Sequence, residues 1–219
     1  MPERTAKPSR KIRHISFQDF RNAVTADACC AGDGGDITTT LAALIVRDQT
    51  GTRPAEMLEE VLSQGEGTPV HGVWHHALVG EILLVSLRNA GYPIADGLID
   101  EVIDRGHQSP GGSCGFIGTC GALNSTASAY AILLGSTPVA TKARERLLQF
   151  SAKLAARLAE VGGSRCCKKS SYAAFEIAQP EFTRLGFNLP EEKFEGRCPF
   201  FSQNDTCDGP DCDYFPGKQ

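Results

Sequence analysis

Apolar residues along this chain recur at three- and four-residue steps rather than in alternation, and that period predicts helices. Ser16 is placed to cap a short helix carrying Phe17, Phe20 and Val24 on one face, and Asp36 to cap another carrying Leu41, Leu44, Ile45 and Val46. Pro54 suits the first turn of a helix that continues through residues 55–63. From His71 through Leu87 the chain is apolar nearly all round, so the pattern predicts a helix at the centre of the domain, stopping at Asn89-Ala90-Gly91. Residues 94–105 read as an amphipathic helix, and 122–134 as one built of small residues. Residues 138–161 repeat Ala143, Leu147, Phe150, Leu154, Leu158 and Val161 at helical spacing, with Thr137 as cap and Pro138 in the first turn. A helix over 170–178 is expected to break near Pro180, and 189–219 read as a polar tail. The fold class is therefore all-α. The pattern describes a compact helical bundle with a glycine- and cysteine-rich loop and an irregular cysteine-bearing C-terminal tail, in one domain over 15–219 behind a flexible basic arm over 1–14.

Composition agrees with a globular core: 41% of the 219 residues are hydrophobic and 22% charged. No stretch reaches the roughly 20 apolar residues of a membrane-spanning helix, and no apolar run follows the basic N-terminus as it would in a secretory signal. A cytoplasmic protein with no membrane partner is expected. The arm carries Arg4, Lys7, Arg10, Lys11 and Arg13 against Glu3, in a chain of net charge −4. It reads as a solvated tail rather than a nucleic-acid contact.

The nine cysteines change the picture most. Their number is odd and no export signal accompanies them, which points to metal ligands or reactive thiols in a reducing compartment rather than to disulfides. Cys114 and Cys120 sit in a run with five glycines, among them Gly112, Gly115, Gly118 and Gly121. Two cysteines with five residues between them converge only if part of the run is a loop. The glycines permit that loop, and they let backbone N–H groups approach a charged cofactor. Cys166-Cys167 lie among Arg165, Lys168 and Lys169, which favour a thiolate. Two adjacent thiols do not share one metal in a relaxed geometry, so one is a ligand and the other structural or reactive. Cys198, Cys207 and Cys212 occupy a tail too polar to order itself, where a metal would supply the missing energy. Cys198-Pro199 is a common setting for a cluster ligand. Cys29-Cys30 lie among aspartates that disfavour a thiolate. His71 and His75 share a face if the helix begins by His71; with His76 they are candidates for metal binding or proton transfer, although no HExxH pattern is present.

Taken in order, His71-Gly72, His75-His76, Asn89-Ala90-Gly91, Gly111-Gly112, Cys114-Gly115, Gly118, Cys120-Gly121-Ala122, Gly162-Gly163, Arg165-Cys166-Cys167-Lys168, Cys198-Pro199, Cys207 and Cys212 resemble a cysteine-rich prokaryotic family, domain of unknown function 5714, over about residues 69–215. The resemblance implies a site map without a reaction: members stand alone or attached to methyltransferase-like or radical-SAM-like modules.

Ligand softness and number then predict an iron–sulfur cluster, [4Fe–4S] before [2Fe–2S], with zinc as the alternative. Three ligands would come from the tail or from the Gly111–Gly121 loop, leaving one position for a small anionic substrate. Arg165, Lys168 and Lys169 would hold that anion, while His71, His75 or His76 moves protons. Sulfur or one-carbon chemistry is the expected setting. The rival reading is a non-catalytic zinc-binding or thiol-redox module that serves a partner enzyme.

Overall fold

The structure, a computed structural model, describes residues 44–64 and 71–217. After a helical turn over 44–48 come α1 (Pro54–Gln64), α2 (His75–Asn89), α3 (Asp96–His107), the short α4 (Ser113–Phe116), α5 (Gly121–Leu134), α6 (Thr141–Val161) and α7 (Cys167–Arg184). Two 3₁₀ turns, Phe201–Gln203 and Gly209–Asp211, are the only helical pieces of the described tail. Among the described residues there is no strand, and no helix is long and apolar enough to cross a membrane. The arm, the helix capped by Ser16 and Cys29-Cys30 lie outside the described residues.

The all-round apolar segment is the central helix: every residue of α2 from His75 to Leu87 is buried. It packs chiefly on α5 and α3, and small residues set how closely. A Cβ on Gly80 would stand 2.5 Å from the Ser125 carbonyl oxygen. Ser125 Oγ accepts from the Gly80 N–H (2.8 Å) and donates to the Ala77 carbonyl (3.0 Å), so the tight crossing leaves these polar groups paired. On the other side of α5, Tyr130 stacks on Phe150 of α6 at 4.2 Å between ring centroids, with Phe182 of α7 completing the cluster.

Three boundaries depart from the pattern. Helix α2 begins at His75, so His71 precedes it and does not share its face. Helix α6 begins at Thr141 because Thr137 Oγ1 instead accepts from the Ala140 N–H (3.1 Å) and closes a separate turn holding Pro138. Helix α7 runs through Pro180 to Arg184. Proline forfeits one helical hydrogen bond there, but the turn beyond is fastened by fully buried Phe182 and by Glu181, which pairs with Lys153 and Arg184.

Candidate metal centre and a second cysteine cavity

The start of α7 separates the vicinal cysteines. Cys166 is its N-cap in extended backbone, its Sγ accepting from the Lys169 N–H at 3.5 Å, and Cys167 is the first helical residue. In the tail, the Cys198 N–H donates to the Tyr214 carbonyl (2.8 Å) and the Gly196 N–H to that of Asp213 (3.0 Å), which draws Cys198 toward the Cys212 segment. Cys207 Sγ accepts from the Gly209 N–H at 3.4 Å. The result is one cavity lined by Cys166, Cys198, Cys207 and Cys212 and walled by Tyr172, Phe200, Phe201, Tyr214 and Phe215. Its free volume is about 20 Å³.

Burial pushes the Cys198 thiol up to about 11, and the Cys166 and Cys212 thiols in the same direction. Neighbouring cysteines add to each shift. Cations stand close by. Lys168 is only 3% exposed, and its ammonium lies 5.0 Å over the Phe200 ring; burial lowers its pKa against the opposing pull of Cys166, Cys167 and Cys198. Lys169 reaches the Gly162 carbonyl and the Asp208 carboxylate (2.7 Å), and Asp208 also accepts from the Ser164 N–H at 2.9 Å. This clamp ties the residue after Cys207 to the loop before Cys166. Farther along, Arg197 pairs with Glu59 of α1, and Arg157 of α6 reaches Glu176 (2.9 Å) and Asp213 (3.1 Å). The tail is thus held by ion pairs and turns together with Leu189, Phe194, Phe200 and Tyr214, which are buried in the core.

Does this set fit a metal? The donors are four soft thiols, two already accepting backbone N–H groups, beside buried positive charge. All of that suits a thiolate-bound centre. Among the described residues, no three of His, Cys, Asp and Glu are drawn together tightly enough to grip one ion. The cavity that the four cysteines line has a water-sized space. By chemical type the donor set fits a thiolate-bound metal.

A second cavity of about 320 Å³ opens on the other side of the α7 start, lined by Cys114, Cys120, Arg165, Cys166, Cys167 and Ser170 among others. Cys120 is the N-cap of α5 and is hydrogen-bonded to His75. Burial raises the Cys120 thiol, but the bond to His75 and its charge, with Ser170 and the Ala122 N–H, outweigh burial and bring it below the ordinary value. His75 Nδ1–H donates to the Gly72 carbonyl, which Cys167 Sγ also approaches at 3.8 Å.

The other candidates take separate places. His76 Nδ1–H donates to the Ser109 carbonyl (2.8 Å), and burial, with the neighbouring His75, lowers its pKa to about 3, so its ring is neutral at pH 7. His71 Nε2–H donates to Asn204 Oδ1 (3.2 Å), on the wall of the tail cavity. Of the four glycines, only Gly115 lines the second cavity. Gly112 and Gly118 supply positive φ (80° and 77°) at turns. Gly121 makes room for His76, since a Cβ there would stand 1.7 Å from the ring. Asp208, Ser170 and the aromatic wall escaped sequence reasoning. The only local signal for Asp208 was its position next to Cys207.

The model of the family described as "Family of unknown function (DUF5714)" matches residues 43–215. Neither the curated proteins nor the solved structures provide a match to the chain.

Proposed function

The chain belongs to the DUF5714 family, and we propose that it is a metal-binding protein in which Cys166, Cys198, Cys207 and Cys212 hold an iron–sulfur cluster. The observation that carries this reading is the meeting of four cysteines, from the start of α7 and from the tail, on the wall of one aromatic-lined cavity. A cluster is read ahead of zinc from the softness and number of the thiol donors. With four cysteines on the wall, this geometry supports a fully ligated centre better than a three-ligand one with an open position.

A bound cluster would supply one-electron chemistry or hold the tail in place. The chain's own residues set its surroundings. Tyr172, Phe200, Tyr214 and Phe215 keep water out, while the Lys169 and Gly209 N–H groups and the buried Lys168 ammonium offset thiolate charge. The reading is redox or structural service, either to a partner enzyme or to chemistry in the neighbouring cavity, in the reducing cytoplasm.

Anaerobic purification followed by iron, zinc and acid-labile sulfide analysis tests it. A brown protein with about four irons and four sulfides per chain is expected, or about two of each for the smaller cluster. A colourless protein holding one zinc refutes the cluster and keeps a thiolate–metal centre. A metal-free protein with a protected tail refutes both.

A further inference from the structure

We propose that Cys120, paired with His75 at the start of α5, is a nucleophilic thiolate that reduces small anionic disulfides, with Cys114 as its resolving partner. The residues that carry it are other than the four proposed ligands, although Cys166 of that centre also lines this cavity.

The geometry begins with the imidazole. The Gly72 carbonyl can only accept, so Nδ1 carries the proton in that bond and Nε2 keeps its lone pair. His75, buried beside Trp74 and His76, has little freedom to turn away. Nε2 is therefore the atom that takes the proton of Cys120, to which His75 is bonded. Cys120 is also the N-cap residue of a fourteen-residue helix, so its sulfur lies at the positive end of that helix's dipole. Cys120 is only 5% exposed, but it borders a cavity of about 320 Å³, room enough for a small molecule. Arg165 lines the same cavity and contributes positive charge at Cys114, which selects a substrate bearing carboxylate groups. A second thiol, Cys114, lines the cavity too. The segment between the two cysteines packs loosely: Ile117 is 62% exposed, and a Cβ on Gly115 or Gly118 would meet nothing within 4 Å. Closing a ring between the cysteines would disturb little packing.

The chemistry balances with a disulfide R–S–S–R as oxidant. The Cys120 thiolate attacks one sulfur, a new S–S bond joins Cys120 to R–S, and the other R–S⁻ leaves with the proton held by His75. Cys114 then attacks the Cys120 sulfur, and the second R–S⁻ leaves with the Cys114 proton. Two cysteine thiols are oxidised to one disulfide, and the substrate is reduced to two thiols.

The test uses the full chain as purified, with oxidised glutathione as probe at a pH of about 6.5, followed by mass spectrometry and peptide mapping. Wild-type protein is expected to form a Cys114–Cys120 disulfide, and Cys114→Ser to trap one glutathionyl group on Cys120. His75→Gln should slow the first step about 100-fold at that pH and by far less at a pH of about 10, where the thiol ionises unaided. If that variant fails to fold, the ultraviolet thiolate absorbance of wild type minus Cys120→Ser, followed against pH, gives the same reading. Three results would overturn the proposal: Cys120 reacting no faster than a thiol of the unfolded chain, a thiolate step at the ordinary thiol range, or Cys120 reacting only after a chelator strips bound metal. Loss of metal in Cys198→Ser with Cys120 reactivity kept would separate this site from the metal centre.

Discussion

Glu81 offers the most quantitative test of the fold. It lies mid-way along α2, fully buried, with neither carboxylate oxygen hydrogen-bonded. Arg47 Nε stands 3.6 Å away, but that guanidinium also pairs with Asp100 at the surface. Burial dominates and pushes Glu81 up to about 8, against the pull of Arg47. The sign follows from proton binding. Below about pH 4.5 the group is neutral in both states. Between that value and about 8 the unfolded chain releases the proton and the folded chain keeps it, so stability falls as pH rises and levels off above 8. At about 1.4 kcal/mol per pH unit, the loss approaches about 5 kcal/mol across the window and about 3 kcal/mol by pH 7. Glu81→Gln keeps the shape and removes the titration. Urea unfolding of both proteins between about pH 5 and 8 should show the variant gaining about 4 kcal/mol on wild type across that range. A flat difference, or a variant that loses ground as pH rises, would mean that Glu81 is ionised in the folded protein and paired with Arg47.

Other perturbations probe the sites. Gly163 has φ +72°, and a Cβ there would stand 2.3 Å from Asp208 Oδ2. Gly163→Ala should break the Lys169–Asp208 clamp, lower stability by about 2–4 kcal/mol, and speed metal loss to a competing chelator. Gly121→Ala sets a methyl against the His76 ring and should cost about 2–5 kcal/mol in urea unfolding through overpacking and loss of the Ser109 bond. Part of that loss should return in the double variant with His76→Ala, and simple additivity would refute the contact. Cys212→Ser should release the metal and lower hydrogen-exchange protection around Cys198, Cys207 and Cys212 while α2 and α5 stay protected; unchanged protection there would show that the metal does not order that part of the tail.

The helices, their order and the burial of α2 were legible in sequence because they depend on local periodicity. Apolar steps of three and four residues fix which face a helix hides, and a segment apolar all round has only the centre to occupy. The tail reads in sequence as a polar stretch with little besides a metal to order it, but the structure also seats its Leu189, Phe194, Phe200 and Tyr214 in the core. The grouping of the cysteines was not legible. Cys166 and Cys167 are neighbours in the chain, yet the N-cap of α7 sends one sulfur to the tail cavity while the other lies beside the Gly72 carbonyl, because backbone at a helix start turns through a large angle in one residue. Cys120 meets His75 only because Gly121 lets α5 press against α2 at His76, an approach decided by packing across 45 residues of chain. Sequence by itself determined which elements form and which of them lies at the centre. Which thiol faces which partner was decided by the tertiary structure, since that pairing depends on contacts between segments that no local pattern encodes.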